Sequence, residues 1–435
     1  MDHEQISQKL FKVFNPFESL TPDDPRYVEC NQVRGSTRLL NTLARVVKLA
    51  GTPTSQLLSG HRGSGKTTEL QRLKQQLSED AVYYVVYCDA EDLLDLKGTV
   101  EYTDVMRAIL QRVCEEAETH SISVASNRLI TFLQNLGSTS VQVTSGQIGP
   151  SLSAGSLKLA LGQLNFNLKR NAEHRDEVAN FLRAKTDTFM DVVNEAIEKA
   201  TAGFRASDAN CQGIVVIVDN LDRVLPTLAT GQSHNNHDEL FIHAATQMTA
   251  LACHVIYSLP PELRYSANGA KLTSLYGNQV QMLPMIPVKK RSAEEHAEGQ
   301  QILMEMIAQR LQLAGKGAAF EDEKTIERLC AISGGYVRQL MTLTRNTVIN
   351  SGTLPLTSTA LEEAIIDLRN NTIPGIRRYL PTLPKIADTN SLDEINESAD
   401  YLQLLNSHAI LEYLDEDGYW YDVNPIIREA KEFST

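Results

Sequence analysis

The string Gly60-His61-Arg62-Gly63-Ser64-Gly65-Lys66-Thr67 narrows what this chain can fold into more than any other. Three glycines in six residues suit neither a helix nor a strand. They do permit a tight loop whose backbone N–H groups converge. The preceding Gln56-Leu57-Leu58 reads as a short strand, and about Lys66 to Leu77 reads as a helix. A glycine-rich loop opening a helix is a cradle for phosphate oxygens. Lys66 can reach the β- and γ-phosphates, and the Thr67 hydroxyl can ligate Mg²⁺. The expected phosphate-binding set is Gly60, His61, Arg62, Gly63, Ser64, Gly65, Lys66, Thr67 and Thr68.

The rest of the chain supplies the sheet such a loop needs. Residues 82–88 (VYYVVYC), 213–219 (GIVVIVD), 254–259 (HVIYSL) and 279–288 read as strands, the apolar ones as buried on both faces. Helical periodicity marks about 4–13, 36–50, 102–117, 124–135, 174–201, 239–250, 294–313, 322–332 and 336–349. This alternation implies an α/β fold, a parallel sheet with helices on both faces. Residues 137–170 are rich in Ser, Gly, Thr and Gln, with alternation in Leu157, Leu159, Leu161 and again in Leu164, Phe166, Leu168. They read as a hairpin-like insertion whose apolar face is covered either by the following helix or by a partner. The alternating ILEYLDEDGYWYDV reads as a hairpin turning at Asp417-Gly418. The expected organisation is a domain over 1–292 with an insertion at about 118–205, a helical lid over 293–354, and a helix-plus-hairpin domain over 355–435.

Further residues carry chemistry. Asp219 ends a buried strand, where a carboxylate can hold a Mg²⁺ shell through water. The next residue is Asn220, whose amide can orient water but cannot take its proton. Asp222 is a substitute base, or simply a carboxylate at a helix start. Ser258 ends its strand, where it either feels a γ-phosphate or merely precedes Pro260-Pro261. Arg264 and Lys289-Lys290-Arg291 either offer cations to phosphate or are solvated charge. In Ser333-Gly334-Gly335-Tyr336-Val337-Arg338, the arginine sits in a helix's first turn, where a cation opposes the dipole unless an anion joins it.

In this order the pieces resemble the AAA+ and STAND branches of P-loop ATPases. GHRGSGKT looks like Walker A and IVVIVDNLDR like Walker B. SGGYVRQL resembles the sensor-2 region of the lid in origin-recognition-type ATPases, and Val33-Arg34-Gly35 their adenine-touching segment. DNLDR is also similar to the DDLDR of KAP-type NTPases, with Asn220 as the departure. The resemblance implies ATP and Mg²⁺ as ligands (metal at Thr67 and Asp219), and Asp219, Asn220, Asp222 and Arg338 as the catalytic set. It also implies a C-terminal winged helix and a nucleotide-driven switch that works through homo-oligomers.

Charge tests the DNA-binding alternative. The chain has net charge −13, and residues 391–430 hold ten acidic residues against Arg428 alone. The expected recognition helix ESADYLQLLNSH has no Arg or Lys for phosphates or guanine edges. The stretch His120–Ala172 lacks acid, with Arg128, Lys158, Lys169 and Arg170 as its cations. No apolar run of about 18 residues occurs, and the N-terminus lacks a signal's apolar core. The six scattered cysteines suit reduced thiols in a cytoplasm. The favoured expectation is a regulatory ATPase switch, slow or conditional in hydrolysis, that controls a separate effector protein in prokaryotic defence or signalling. The alternatives are a DNA-loading or remodelling ATPase of the transposition-regulator or origin-recognition sort, and a structural protein that only binds nucleotide.

Overall fold

The computed structural model describes residues 3–35, 39–79, 83–137, 154–225, 235–315, 317, 319–393 and 403–433. They divide into two compact units. One, the sheet unit, comprises Thr42–Ser59 and Arg72–Gln281. The other, the loop unit, comprises Met1–Asn41, Gly60–Gln71 and Met282–Thr435.

Five strands form one sheet: β1 (Ser55–Gly60), β2 (Tyr83–Asp89), β3 (Gly213–Asp219), β4 (His254–Leu259) and β5 (Gln281–Leu283), in the order β2-β3-β4-β1-β5. The β2·β3, β3·β4 and β4·β1 pairs are parallel. Every residue of β1, β3 and β4 is buried, as expected of β-branched runs covered on both faces. The β2·β3 register pairs Tyr87 with Ile217 and Asp89 with Asp219, so two carboxylates end adjacent strands side by side.

Helices Tyr102–Thr119 and Thr186–Ser207 bury Ile109, Leu110, Val113, Val193, Ile197 and Phe204 in the sheet unit's core. The insertion corrects the sequence reading. Ala154–Arg170 is a helix and not a hairpin arm, while residues 138–153 lie outside the described residues. Leu161, Leu164 and Leu168 recur at helical steps and join the same core as Leu110, Val178 and Leu182. Its apolar stripe is therefore covered within the chain. Arg107, buried with them, donates to Asn165 Oδ1 (2.5 Å) and Asp104 Oδ1 (2.5 Å), and Asn165 donates to Gln111. Burial pulls the Arg107 guanidinium down and Asp104 pushes it back up. This buried network ties the insertion helix to helix Tyr102–Thr119. The single helix expected at 174–201 is two, Ala172–Ala184 and Thr186–Ser207. The one expected at 239–250 breaks into a π-helical turn, Glu239–His243, and a short helix, Ala245–Thr249.

In the loop unit, helices His3–Val13, Ala297–Ala314, Glu323–Ile332, Val337–Ser351 and Ser358–Ile376 share a core that includes Leu10, Phe14, Leu303, Ile307, Leu340 and Ile365. The C-terminal hairpin pairs β6 (Ile410–Asp415) with β7 (Gly418–Val423), as its alternation predicts. Tyr413 and Trp420 stack across it at 4.5 Å and pack with Met285 and Tyr336. Of the expected recognition helix, 403–406 is helical and 397–402 lies outside the described residues.

None of the six cysteines forms a disulfide, and all are buried. Burial pushes the thiols of Cys88, Cys114 and Cys330 up to about 12, and those of Cys211 and Cys253 also upward. Among the described residues, no helix is long and apolar enough to cross a membrane.

Candidate nucleotide site

The phosphate loop belongs to the loop unit. Gly63 and Gly65 have φ of +86° and +103°, angles that side-chain-bearing residues avoid. The Lys66 ammonium donates to the carbonyls of Gly60 (2.5 Å) and His61 (3.2 Å), so its stem lies back along the loop. Helix Lys66–Glu79 starts as the sequence predicts, and Leu20 N–H donates to the Thr68 hydroxyl at 3.2 Å. Thr67 is half-buried beside it.

Elements far away in sequence hold this loop. The Tyr336 hydroxyl donates to the Arg62 carbonyl at 2.8 Å, and His408 Nε2 lies 2.9 Å from the same oxygen. The carbonyl only accepts, so that nitrogen is assigned the proton. Tyr336 and His408 stack at 4.6 Å. Burial first, then the cations Arg338, Lys66 and Arg62, hold the His408 imidazole down to about 4. His61 is buried with Nε2 3.8 Å from the equally buried Glu412 of β6. Arg338 sits in the first turn of helix Val337–Ser351, and a methyl group added to Gly63 would lie 2.7 Å from its Cβ. The helix can begin there because Gly335 has no side chain: a Cβ would meet the Ile286 carbonyl at 1.6 Å.

Other candidate residues lie in the sheet unit. Asp219, fully buried, accepts from Asn220 N–H (2.7 Å) and the Tyr87 hydroxyl (2.6 Å). Asn220 adopts a left-handed backbone, φ +64°, which turns the chain sharply after β3. Its amide donates to Asp89 Oδ1 at 2.8 Å. The Ser258 hydroxyl oxygen accepts the Leu221 N–H at 2.8 Å and so holds the turn Leu221–Arg223, which carries half-buried Asp222.

Residues 37–230 match the model of the KAP family P-loop domain. This stretch is a P-loop NTPase domain. Solved structures that resemble the chain include the following three. The Walker-type ATPase of Pyrococcus abyssi is 13% identical with TM-score 0.47, covering 95% of this chain and 98% of that one. The Aeropyrum pernix ORC2 protein, solved as ADPNP-ADP complexes, is 12% identical with TM-score 0.42, at 96% and 95% coverage. The Aeropyrum pernix ORC1 protein in complex with DNA is 12% identical with TM-score 0.39, at 98% and 97%. No curated protein matches by sequence.

A P-loop NTPase domain implies nucleotide binding, and the loop's own chemistry fits an anion. Ser64 Oγ is buried with no partner among the described residues. Arg34, 2% exposed, donates from Nη2 to the Ser64 carbonyl at 3.0 Å, while its Nε and Nη1 have no partner among the described residues. Buried, under-used donors of this kind favour a negative ligand. Arg264 lies over the Tyr265 ring, and Lys289, Lys290 and Arg291 pair with Asp422, Glu294 and Asp415. Sequence reading missed Tyr87, Asp89, Tyr336 and His408. Only the position of Asp89, directly after VYYVVYC, offered a signal.

Proposed function

We propose that this protein is an ATP-dependent regulatory switch whose P-loop state is read by its own C-terminal module. The carrying observation is that Tyr336 and His408 both engage the Arg62 carbonyl while Arg338 packs on Gly63. Phosphate binding draws the loop N–H groups, Lys66 and Ser64 onto the ligand. A change in that peptide therefore reaches the lid helix and the residues leading into β6 at once. Lys66 would neutralise the β- and γ-phosphates, Thr67 and Asp219 would hold Mg²⁺, the latter through water, and Arg338 would answer the terminal phosphate. Bound Mg²⁺ supplies charge neutralisation on the phosphates. The module, winged-helix-like in its resemblance, would control a separate effector protein. Homo-oligomers in a prokaryotic cytoplasm, in defence or signalling, are the setting that resemblance supplies.

The DNA-loading alternative draws no support from charge. In the acid-free stretch Arg128 pairs with Asp191 at 2.6 Å, and Lys169 donates to the carbonyls of Glu91 and Asp92. Hydrogen exchange with and without Mg²⁺–ATP tests the switch. Protection should change in 403–423 in the wild type, and the change should shrink in His408→Ala. An ATP-bound protein whose C-terminal exchange is unaltered refutes the reading. A salt-sensitive gel shift on duplex DNA would favour the alternative.

A further inference from the structure

We infer that Asp89, at the end of β2, is the carboxylate that takes the proton of the attacking water. The inference rests on the ATPase reading above and names a residue which that reading does not use. It starts from the anomaly at Asn220. A side-chain amide has no basic lone pair at neutral pH, so a carboxylate must come from elsewhere if water is to be deprotonated. Parallel pairing supplies one. The β2·β3 register sets Asp89 opposite Asp219, and the left-handed turn at Asn220 brings its amide onto Asp89 Oδ1 at 2.8 Å.

The two oxygens of Asp89 are used unequally. Oδ1 accepts both from Asn220 and from Glu91 N–H at 2.9 Å, which caps the short helix Ala90–Leu93. Oδ2 has no hydrogen bond among the described residues, and the side chain is half-buried. One oxygen is thus anchored and orients the carboxylate, while the other is left to accept a proton. Asp219 differs, since hydrogen bonds reach both of its oxygens. Arg223 also pairs with Glu91, which steadies the residues just after Asp89. The spare carboxylate oxygen at the strand ends therefore lies on β2, with the amide on β3.

The step balances simply. A water oxygen forms a bond to the γ-phosphorus while the bond from that phosphorus to the β–γ bridging oxygen breaks, and ADP leaves with the electron pair. The water proton passes to Asp89 Oδ2 and then to the phosphate product, restoring the carboxylate. Asn220 is a positioning residue here: it fixes Asp89 and touches no reacting atom.

Asp89→Asn is the informative variant, because an amide oxygen still caps helix Ala90–Leu93. It should bind Mg²⁺–ATP within about twofold of wild type and melt at the same temperature. Its turnover should fall about a hundredfold or more, the usual contribution of a general base. Protein incubated with ATP and then stripped should release ATP from the variant and ADP from the wild type. Asp92→Asn, an exposed carboxylate nearby, serves as the control. Turnover in Asp89→Asn no lower than in that control overturns the inference, as does collapse of turnover in Asp222→Asn alone. A wild type that fails to bind ATP would instead bring down the underlying reading.

Discussion

The phosphate loop and the carboxylate corner at the ends of β2 and β3 are built in opposite ways. The loop's shape is local, set by glycines at positive φ and by a lysine folded onto carbonyls of its own segment. What is non-local is its grip, by residues 274 and 346 positions away on a single carbonyl. The corner is non-local from the outset. Asp89 and Asn220 are 131 residues apart and meet only because two strands pair in one register. A string specifies the first and a topology specifies the second. A change in the grip can therefore leave the loop's own shape intact, whereas the corner fails with any slip in pairing.

This contrast can be broken by substitution. The largest effect belongs to Lys66→Ala, which removes the fixed cation of the loop. ATP affinity should fall about a hundredfold by titration calorimetry, in line with a lost charge-assisted contact. Unchanged affinity would remove the loop from the site. Next, Asp219→Asn keeps one acceptor oxygen for the Asn220 N–H, sets its NH2 to donate to the Tyr87 hydroxyl oxygen, and loses the charge. The Mg²⁺ needed for half-maximal nucleotide binding should rise about tenfold, with magnesium-free affinity nearly constant. Thr67→Ala should act in the same direction, and equal losses with and without magnesium would assign both residues to packing.

Smaller effects sharpen the grip side of the comparison. His408 titrates at about 4 when folded against an ordinary value of 6.5. Between those values the unfolded chain binds the extra proton, so stability should decline as pH falls from about 6.5 to 4. His408→Gln should flatten that part of a melting-temperature profile. A wild-type profile already as flat as the variant's would mean the imidazole titrates normally. Smallest is Tyr336→Phe, which deletes one hydrogen bond to Arg62. It should cost about 1 kcal/mol in stability by denaturant titration and leave ATP affinity intact.

Much of this was legible in the sequence. The loop, β2 to β4, the helices Ala297–Ala314, Glu323–Ile332 and Val337–Ser351 and the C-terminal hairpin follow from glycine placement and periodicity. The insertion was misread because Leu157, Leu159 and Leu161 alternate like a strand, while Leu161, Leu164 and Leu168 equally satisfy a helical stripe. Short runs that satisfy both periods are settled by packing, here against Leu110 and by the Arg107–Asn165 bond. Asp89 escaped notice because its role depends on pairing with β3, and His408 because nothing near it in sequence points to Arg62.

The burial of the thiols gives the protein a set of internal clocks. Cys88, Cys114, Cys211 and Cys253 lie in the sheet unit, and Cys30 and Cys330 in the loop unit. A buried thiol reacts with an alkylating reagent only when its surroundings open. Mass-resolved labelling over time would then time the breathing of each unit separately, without a probe being introduced. Nucleotide should slow the Cys330 clock if it tightens the packing of helix Glu323–Ile332, which carries this residue.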